Sequence, residues 1–187
     1  WATYTSIHKR VTHDYCLTPV KPTGLGEGAY ENGPEYPTKP ITSHVIRKQA
    51  YWSYLSGGYH TYGNTSIWNF GIEPRYSKEP WKDALTDPGA IHVSIAARLL
   101  KSMPWWQLVP DQSVFARSLG NGAGLNVAAR SNDGTRVIAY LADAKRVSIR
   151  MTKLVTGPVW ANWVDPKTGV RMPAGKYPNT GTRSFSP

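Results

Sequence analysis

GLGEGAYENGPEY, residues 24–36, sets four glycines around Glu27, and the fold turns on what those glycines serve. As Gly24-x-Gly26-x-x-Ala29 the stretch satisfies the loose dinucleotide fingerprint, whose last small residue should open a helix that holds a pyrophosphate at its N-terminus. The residues that follow, Tyr30-Glu31-Asn32-Gly33-Pro34, do not begin a long helix, and no Gly-Lys-Ser/Thr completes a phosphate loop. The other reading places Glu27 at the carboxyl end of a parallel strand. In a β/α barrel all strand C-termini open on one face, and catalytic side chains come from those ends. Gly26 and Gly28 then leave room for a substrate ring beside the carboxylate. On the residues alone, an exposed turn is the plainer alternative for Glu27.

The flanking sequence decides between them. WATYTSI (1–7) alternates like a strand, PVKPTGLGE (19–27) reads as a strand ending in glycines, and GYHTYG (58–63) as a third short strand. Between the last two, SHVIRKQAYWSYLSGG (43–58) has helical spacing. Ile46, Ala50, Tyr51, Tyr54 and Leu55 share one face, with Ser43 as N-cap and Gly57 as stop. A second helix is expected over 87–103, with Asp87 as cap, Pro88 in the first turn, and Ile91, Ile95 and Leu99 on one face. The β, β-α, β-α order predicts a parallel sheet with helices packed outside it, too few strands to close.

Near Pro110 the pattern changes. Residues 125–130, 136–142, 146–151 and 158–164, and then GVRM at 169–172, alternate with period two between turn residues. They predict an antiparallel β-sandwich. The expected organisation is therefore an α/β part over 1–108 and an all-β part over 109–187.

The 187 residues carry a net charge of +10, with 22 Lys/Arg against 12 Asp/Glu. The split is eleven against eight in 1–108 and eleven against four in 109–187, so the excess lies in the second part. Its basic residues are spaced singly along strands and form no recognition helix or aromatic RNA-binding signature, so nucleic acid is not an expected partner. A solvated basic face, or one that meets an acidic polysaccharide, fits the spacing. No apolar run reaches the roughly 20 residues that span a bilayer, so no membrane partner is expected either. The lone Cys16 excludes an internal disulfide, and His8, His13, His44, His60 and His92 show no metal-ligand spacing, so neither metal nor cofactor is implied. Eight Trp and eleven Tyr against three Phe give the aromatics polar tips suited to cores, interfaces or sugar-stacking clefts alike. The chain opens at Trp1 with no signal peptide, a start that reads as a cut.

KPTGLGEGAYE (21–31), IRKQAYWSYLSGGYHTYGNTSIWNF (46–70) and WWQLVPDQ (105–112) resemble the C-terminal part of a bacterial TIM-barrel glycoside-hydrolase-like family that includes apiosidase-type enzymes. WANWVDPKTGVRMPAGKYPNTGTRSFSP (160–187) resembles that family's C-terminal β-domain, catalogued as collagen-binding. The resemblance implies that the α/β part over 1–108 is the end of an incomplete (β/α)8 barrel. It also implies a secreted or periplasmic parent protein acting on an oligo- or polysaccharide of plant or microbial origin. Glu27 falls on the family's carboxylate at the end of strand seven, the expected nucleophile. Ser6 and His8 fall on a strand-six segment at the cleft rim, and His60, Tyr62 and Asn64 on the end of strand eight. Trp68 lies just beyond, placed to stack on a sugar. Tyr30 and Glu31 complete the expected substrate-binding set.

A retaining glycosidase needs a second carboxyl group, expected from an earlier strand outside these residues. Glu31 and Glu35 are the nearby carboxylates, and both follow the strand end. Alone, the chain is expected to be a poor catalyst or none. Its open sheet edges invite self-association. The rival expectation is a non-catalytic carbohydrate- or matrix-binding protein that uses the basic β-sandwich.

Overall fold

Helix α2 (Ser43–Tyr54) is the centre of the molecule, and its sequence explains why. Every residue from Val45 to Ser53 is buried, although four of them, Arg47, Lys48, Gln49 and Ser53, are polar or charged. A helix buried all round must be packed on every side. The computed structural model describes residues 4–33, 40–73, 75, 77–117, 119–143 and 145–187. In it α2 is covered by α1 (Ile7–Tyr15), by the strands β1 (Gly24–Leu25) and β2 (Tyr59–His60), and by α4 (Pro88–Lys101). A single-turn helix, α3 (Trp81–Ala84), precedes α4.

β1 and β2 pair in parallel, Gly24 opposite Tyr59 and Leu25 opposite His60, with α2 as the crossover between them. The expected strand at 1–7 is corrected. Tyr4–Ser6 form a 3-10 turn that runs straight into α1, and residues 1–3 lie outside the described ones. The short alternation there competes with a longer helical period. Tyr4, Ile7 and Val11 recur at i, i+3, i+7, and Ile7 and Val11 are the buried residues of α1. The parallel sheet therefore has two strands among the described residues, not three.

The helix ends also differ in detail. Thr42 occupies the N-cap of α2, and Ser43 is its first helical residue. On α4, Asp87 and Pro88 stand where expected, but the predicted face is only partly buried: Ile95 is 4 % exposed and Ile91 45 %. Gly57 sits at φ +88° just after α2, a conformation glycine adopts without penalty.

Among the described residues the second part holds eight of the ten strands, all paired antiparallel. β3 (Leu108–Pro110), β5 (Val127–Ser131) and β6 (Val137–Tyr140) form one sheet in the order β3-β5-β6. β4 (Phe115–Arg117), β7 (Val147–Arg150) and β10 (Thr182–Phe185) form another, with β7 central. β8 (Val159–Val164) and β9 (Arg171–Tyr177) make a hairpin. Val114, Phe115, Ala128 and Val147 pack together with Trp163 and Phe185, so one apolar cluster draws on all three sheets.

The largest apolar cluster crosses the expected boundary at 108/109. Ile7, Val11, Tyr51, Trp52, Leu55 and Ala96 from the helical part pack with Val127, Ala129, Tyr140 and Ala142 from the β part. Tyr51 and Tyr140 stack face to face at 4.3 Å. The polar residues of α2 finish the joint. Lys48 donates to the Ala123 carbonyl (2.7 Å), Trp52 to Leu125 (2.8 Å), and His44 bonds the Ala142 carbonyl (3.0 Å). Arg47 lies between Tyr140 and His92, bonded to both. Lys48 and Arg47 thus find partners in the facing part, while Gln49 bonds Ala29 and Ser53 bonds Leu25 and Tyr59 within the helical part, and these bonds are what allow α2 to carry them.

A close backbone approach dictates Gly24. A Cβ at that position would meet the backbone N and O of Tyr59 at a separation no real Cβ tolerates. Gly24→Ala is expected to destabilise the fold by about 1–3 kcal/mol, read as a lowered urea midpoint. An unchanged midpoint would mean that the β1–β2 pairing is looser than described.

Candidate active site

Glu27 stands two residues beyond the end of β1, with its side chain exposed to solvent. Its loop is held from three directions. Gln49 on α2 accepts from the Ala29 amide (2.7 Å) and donates to the Ala29 carbonyl (3.1 Å). Thr61, just past β2, donates its hydroxyl to the Gly26 carbonyl. Tyr30 donates its phenol to Glu27 Oε1 at 3.1 Å. The glycines have separate reasons. A Cβ on Gly28 would strike the Gln49 amide, and one on Gly63 would strike the Tyr30 ring. The spacing that looked like a phosphate cradle is a close-packed loop presenting one carboxylate.

Glu31, four residues on, has a different environment. It is 3 % exposed and forms an isolated parallel bridge with Asn64, extending the β1–β2 pairing past both strands. Tyr62 donates to its Oε2 (2.7 Å) and the Gly89 amide, in the first turn of α4, to its Oε1 (2.9 Å). Burial pushes the Glu31 carboxyl above its usual range, helped by the charges of Asp87 and Glu79 and opposed by the two hydrogen bonds. Tyr62 is pushed up in turn by burial and by the carboxylate it bonds. Asn64 is 1 % exposed. Its amide reaches Tyr62 (3.1 Å) and Asp87 (2.7 Å), and its oxygen takes the Ser66 amide. Asn32 adds a second bond to Asp87 (3.0 Å). Glu31, Tyr62 and Asn64 thus form a cross-brace from the strand ends to α4. Each Glu31 oxygen accepts one hydrogen bond from the protein.

Asp87, Asn32, Gln49 and Gly89 were not legible as site-building residues. Asp87-Pro88-Gly89 reads as a helix start, which it is, yet the Asp87 side chain makes no capping bond and serves the brace instead. The signal that was present is Gly89 itself, since a Cβ there would fall on the Glu31 carboxylate.

Ser6 and His8 are not brought to Glu27. His8 lies on α1 and its Nδ1 bonds the Ser56 hydroxyl (2.7 Å), between the end of α2 and the start of β2. Because the two strands are parallel, that is the opposite end of the sheet from Glu27. Ser6 takes a bond from Arg10 within its own helix. His60 is in β2 with both ring nitrogens buried and without a hydrogen-bond partner among the described residues. Its ring meets Tyr54 edge-on at 6.1 Å, and burial depresses its pKa to about 4. Trp68 is 50 % exposed in the loop after β2, on the Glu27 side of the sheet. Glu35 lies outside the described residues.

A family profile described as "Apiosidase-like, catalytic domain" matches residues 2–107, more than half of the chain. The chain belongs to the apiosidase-like catalytic-domain family. In this apiosidase-like chain a second profile, "Putative collagen-binding domain of a collagenase", matches residues 109–187. A solved structure titled "Glycoside hydrolase" is 30 % identical with a TM-score of 0.85, over 96 % of this chain and 42 % of that one. The crystal structure of a glycoside hydrolase family 5 protein from Bacteroides vulgatus ATCC 8482 is 29 % identical with a TM-score of 0.84, over 96 % and 41 % respectively. The apiosidase-like chain therefore spans about two fifths of the length of these structures. No curated protein matches it.

Proposed function

We propose that the chain is the nucleophile-bearing part of a retaining glycoside hydrolase, with Glu27 as the nucleophile and Trp68 as a sugar-stacking wall. The observation that carries the reading is Glu27 itself, a solvent-facing carboxylate just past the end of a parallel strand, on a loop clamped by Gln49 and Thr61. Tyr30 is placed to orient it. In this mechanism Glu27 attacks the anomeric carbon and forms a covalent glycosyl intermediate that water then hydrolyses. The acid/base must lie about 5–5.5 Å from the nucleophile. Glu31 does not fit that role, because it is buried and both its oxygens are bonded. The role is assigned to a residue of the longer barrel, whose strands would pair with the free edges of β1 and β2. The β part would complete the enzyme as a sandwich fused to the barrel through the shared core.

A leaving group that needs no protonation isolates the first step. With a panel of 2,4-dinitrophenyl glycosides, the chain should release a burst of dinitrophenol and gain the mass of one glycosyl group on the Glu27 peptide. Glu27→Gln should lower the burst about a thousandfold or more. Equal release by both proteins, without an adduct, would overturn the assignment.

A second reading, a non-catalytic polysaccharide-binding protein, is favoured by the eleven Lys/Arg against four Asp/Glu in residues 109–187. Deleting those residues is not an informative test, because it strips Val127, Ala129, Tyr140 and Ala142 from the core around α2. Single surface substitutions separate the two readings.

A further inference from the structure

The sheet β10-β7-β4 has one face turned inward and one outward, and the two are chemically opposite. Arg183 and Phe185 of β10 point toward the β8–β9 hairpin, Arg183 over the Tyr177 ring and Phe185 edge-on to Tyr177 and Trp163. Alternation then sends Thr182 and Ser184 to the other side. Ser184 is opposite Ser148 of β7, their hydroxyls 3.1 Å apart, and Ser148 is in turn opposite Arg117 of β4. That last pairing depends on a bulge between Phe115 and Arg117, which re-aims the end of the edge strand and sets Arg117 beside the hydroxyl row. Thr182, Ser184, Ser148, Ala116 and Arg117 line an open depression of about 300 Å³.

The charges around it are unevenly used. Arg150 is spent on the sheet, donating to the Ser113 and Phe115 carbonyls at 2.6 Å and bracing β4. Asp111 is held by Arg130 (3.0 Å) and Lys153 (3.6 Å), and Asp143 by Lys145 (3.6 Å). Among the described residues no carboxylate pairs with Arg117. The depression therefore combines an uncompensated guanidinium with hydroxyls that both donate and accept, in the part of the chain whose charges sum to a marked positive excess.

The geometry points to a binding site for a carboxylated sugar: a uronic acid unit of an acidic polysaccharide, its carboxylate on Arg117 and its ring hydroxyls on Ser148, Thr182 and Ser184. Guanidinium matches carboxylate in a planar two-point fork, and the Ser/Thr row matches a polyol. Among the described residues no aromatic ring lines the depression, so a neutral sugar has nothing there to stack on, and charge must supply the discrimination. The volume holds one ring and its open side lets the polymer continue. This site belongs to the β part and stands whether or not Glu27 is a nucleophile.

Calorimetric titration of the full chain with trigalacturonate, and with uncharged galactotriose, tests it. Trigalacturonate should bind saturably and more weakly as salt rises, and galactotriose at least tenfold more weakly. Arg117→Gln should cost about tenfold or more, Arg117→Lys less, and Glu27→Gln nothing. Because Arg117 is exposed, an unchanged urea midpoint establishes that the variant is folded. The proposal is overturned if Arg117→Gln binds like the parent, if galactotriose binds as tightly, or if Glu27→Gln removes binding. It is equally overturned if inorganic sulfate competes as well as the trisaccharide, or if a triple-helical collagen peptide, and not trigalacturonate, binds through Arg117.

Discussion

Trp52→Ala should lower the unfolding free energy by about 3–5 kcal/mol, among the largest effects of a single truncation in this chain, and should do so in both parts at once. Trp52 has no exposed surface, stacks on Tyr4 at 5.7 Å, and donates its indole N–H to the Leu125 carbonyl at 2.8 Å. Truncation leaves a cavity the size of an indole between α1, α2 and the β part, and a buried carbonyl without its donor. Both costs fall on the joint and not on one side of it. Urea unfolding followed by far-UV circular dichroism, together with amide exchange of β5 and β6, should show one transition shifted as a unit. If the exchange of Val127–Ser131 and Val137–Tyr140 is unaffected, the two parts fold independently, and the shared core is a contact without cooperativity.

That joint was only half legible in the sequence. The burial of Ile46, Ala50, Tyr51 and Leu55 follows from helical spacing, but spacing cannot say that Arg47, Lys48 and Gln49 on the remaining faces are buried as well. Their partners are a carbonyl at Ala123, a phenol at Tyr140, an imidazole at His92 and the backbone of Ala29, all distant in sequence. β5, β6, β7 and β8 showed their alternation, whereas of β9 only the start was read, at GVRM. β3 and β4, three residues each, are too short for a period of two to stand out, and β4 is interrupted by its bulge as well; β10 follows a run of Pro, Asn and Gly that reads as a turn. At the candidate site the position of Glu27 past the end of a parallel strand was legible, because PVKPTGLGE reads as a strand ending in glycines and the residues after it do not begin a long helix. The opposite fate of Glu31 was not, since its partners Tyr62 and Gly89 come from two other elements and only the folded chain brings them together.

His60 yields the second large effect, and its sign follows from burial. Its pKa falls from the usual 6.5 to about 4 because the protonated ring would be a buried charge. The unfolded chain therefore binds a proton on His60 between pH 6.5 and 4 and the folded chain does not. Stability that is fully present above pH 6.5 is lost as the pH falls through this window, by about 3 kcal/mol from this residue. His8, His44 and His92 are also depressed by burial and act in the same direction. Glu31 acts oppositely. Its raised carboxyl favours the folded state at low pH, so it offsets part of the loss and cannot produce it. His60→Leu keeps the apolar contact with Tyr54 and removes two buried nitrogens that have no partner among the described residues, so it should match or exceed the parent at pH 7. At pH 4.5 it should be more stable than the parent by about 2 kcal/mol. Parallel stability curves for the two proteins would mean that a partner satisfies the imidazole in solution. The same variant separates a core histidine from a sugar ligand: with its polar atoms closed to solvent, His60 should leave the Glu27-dependent burst intact, whereas a ring that contacts substrate would take the burst with it.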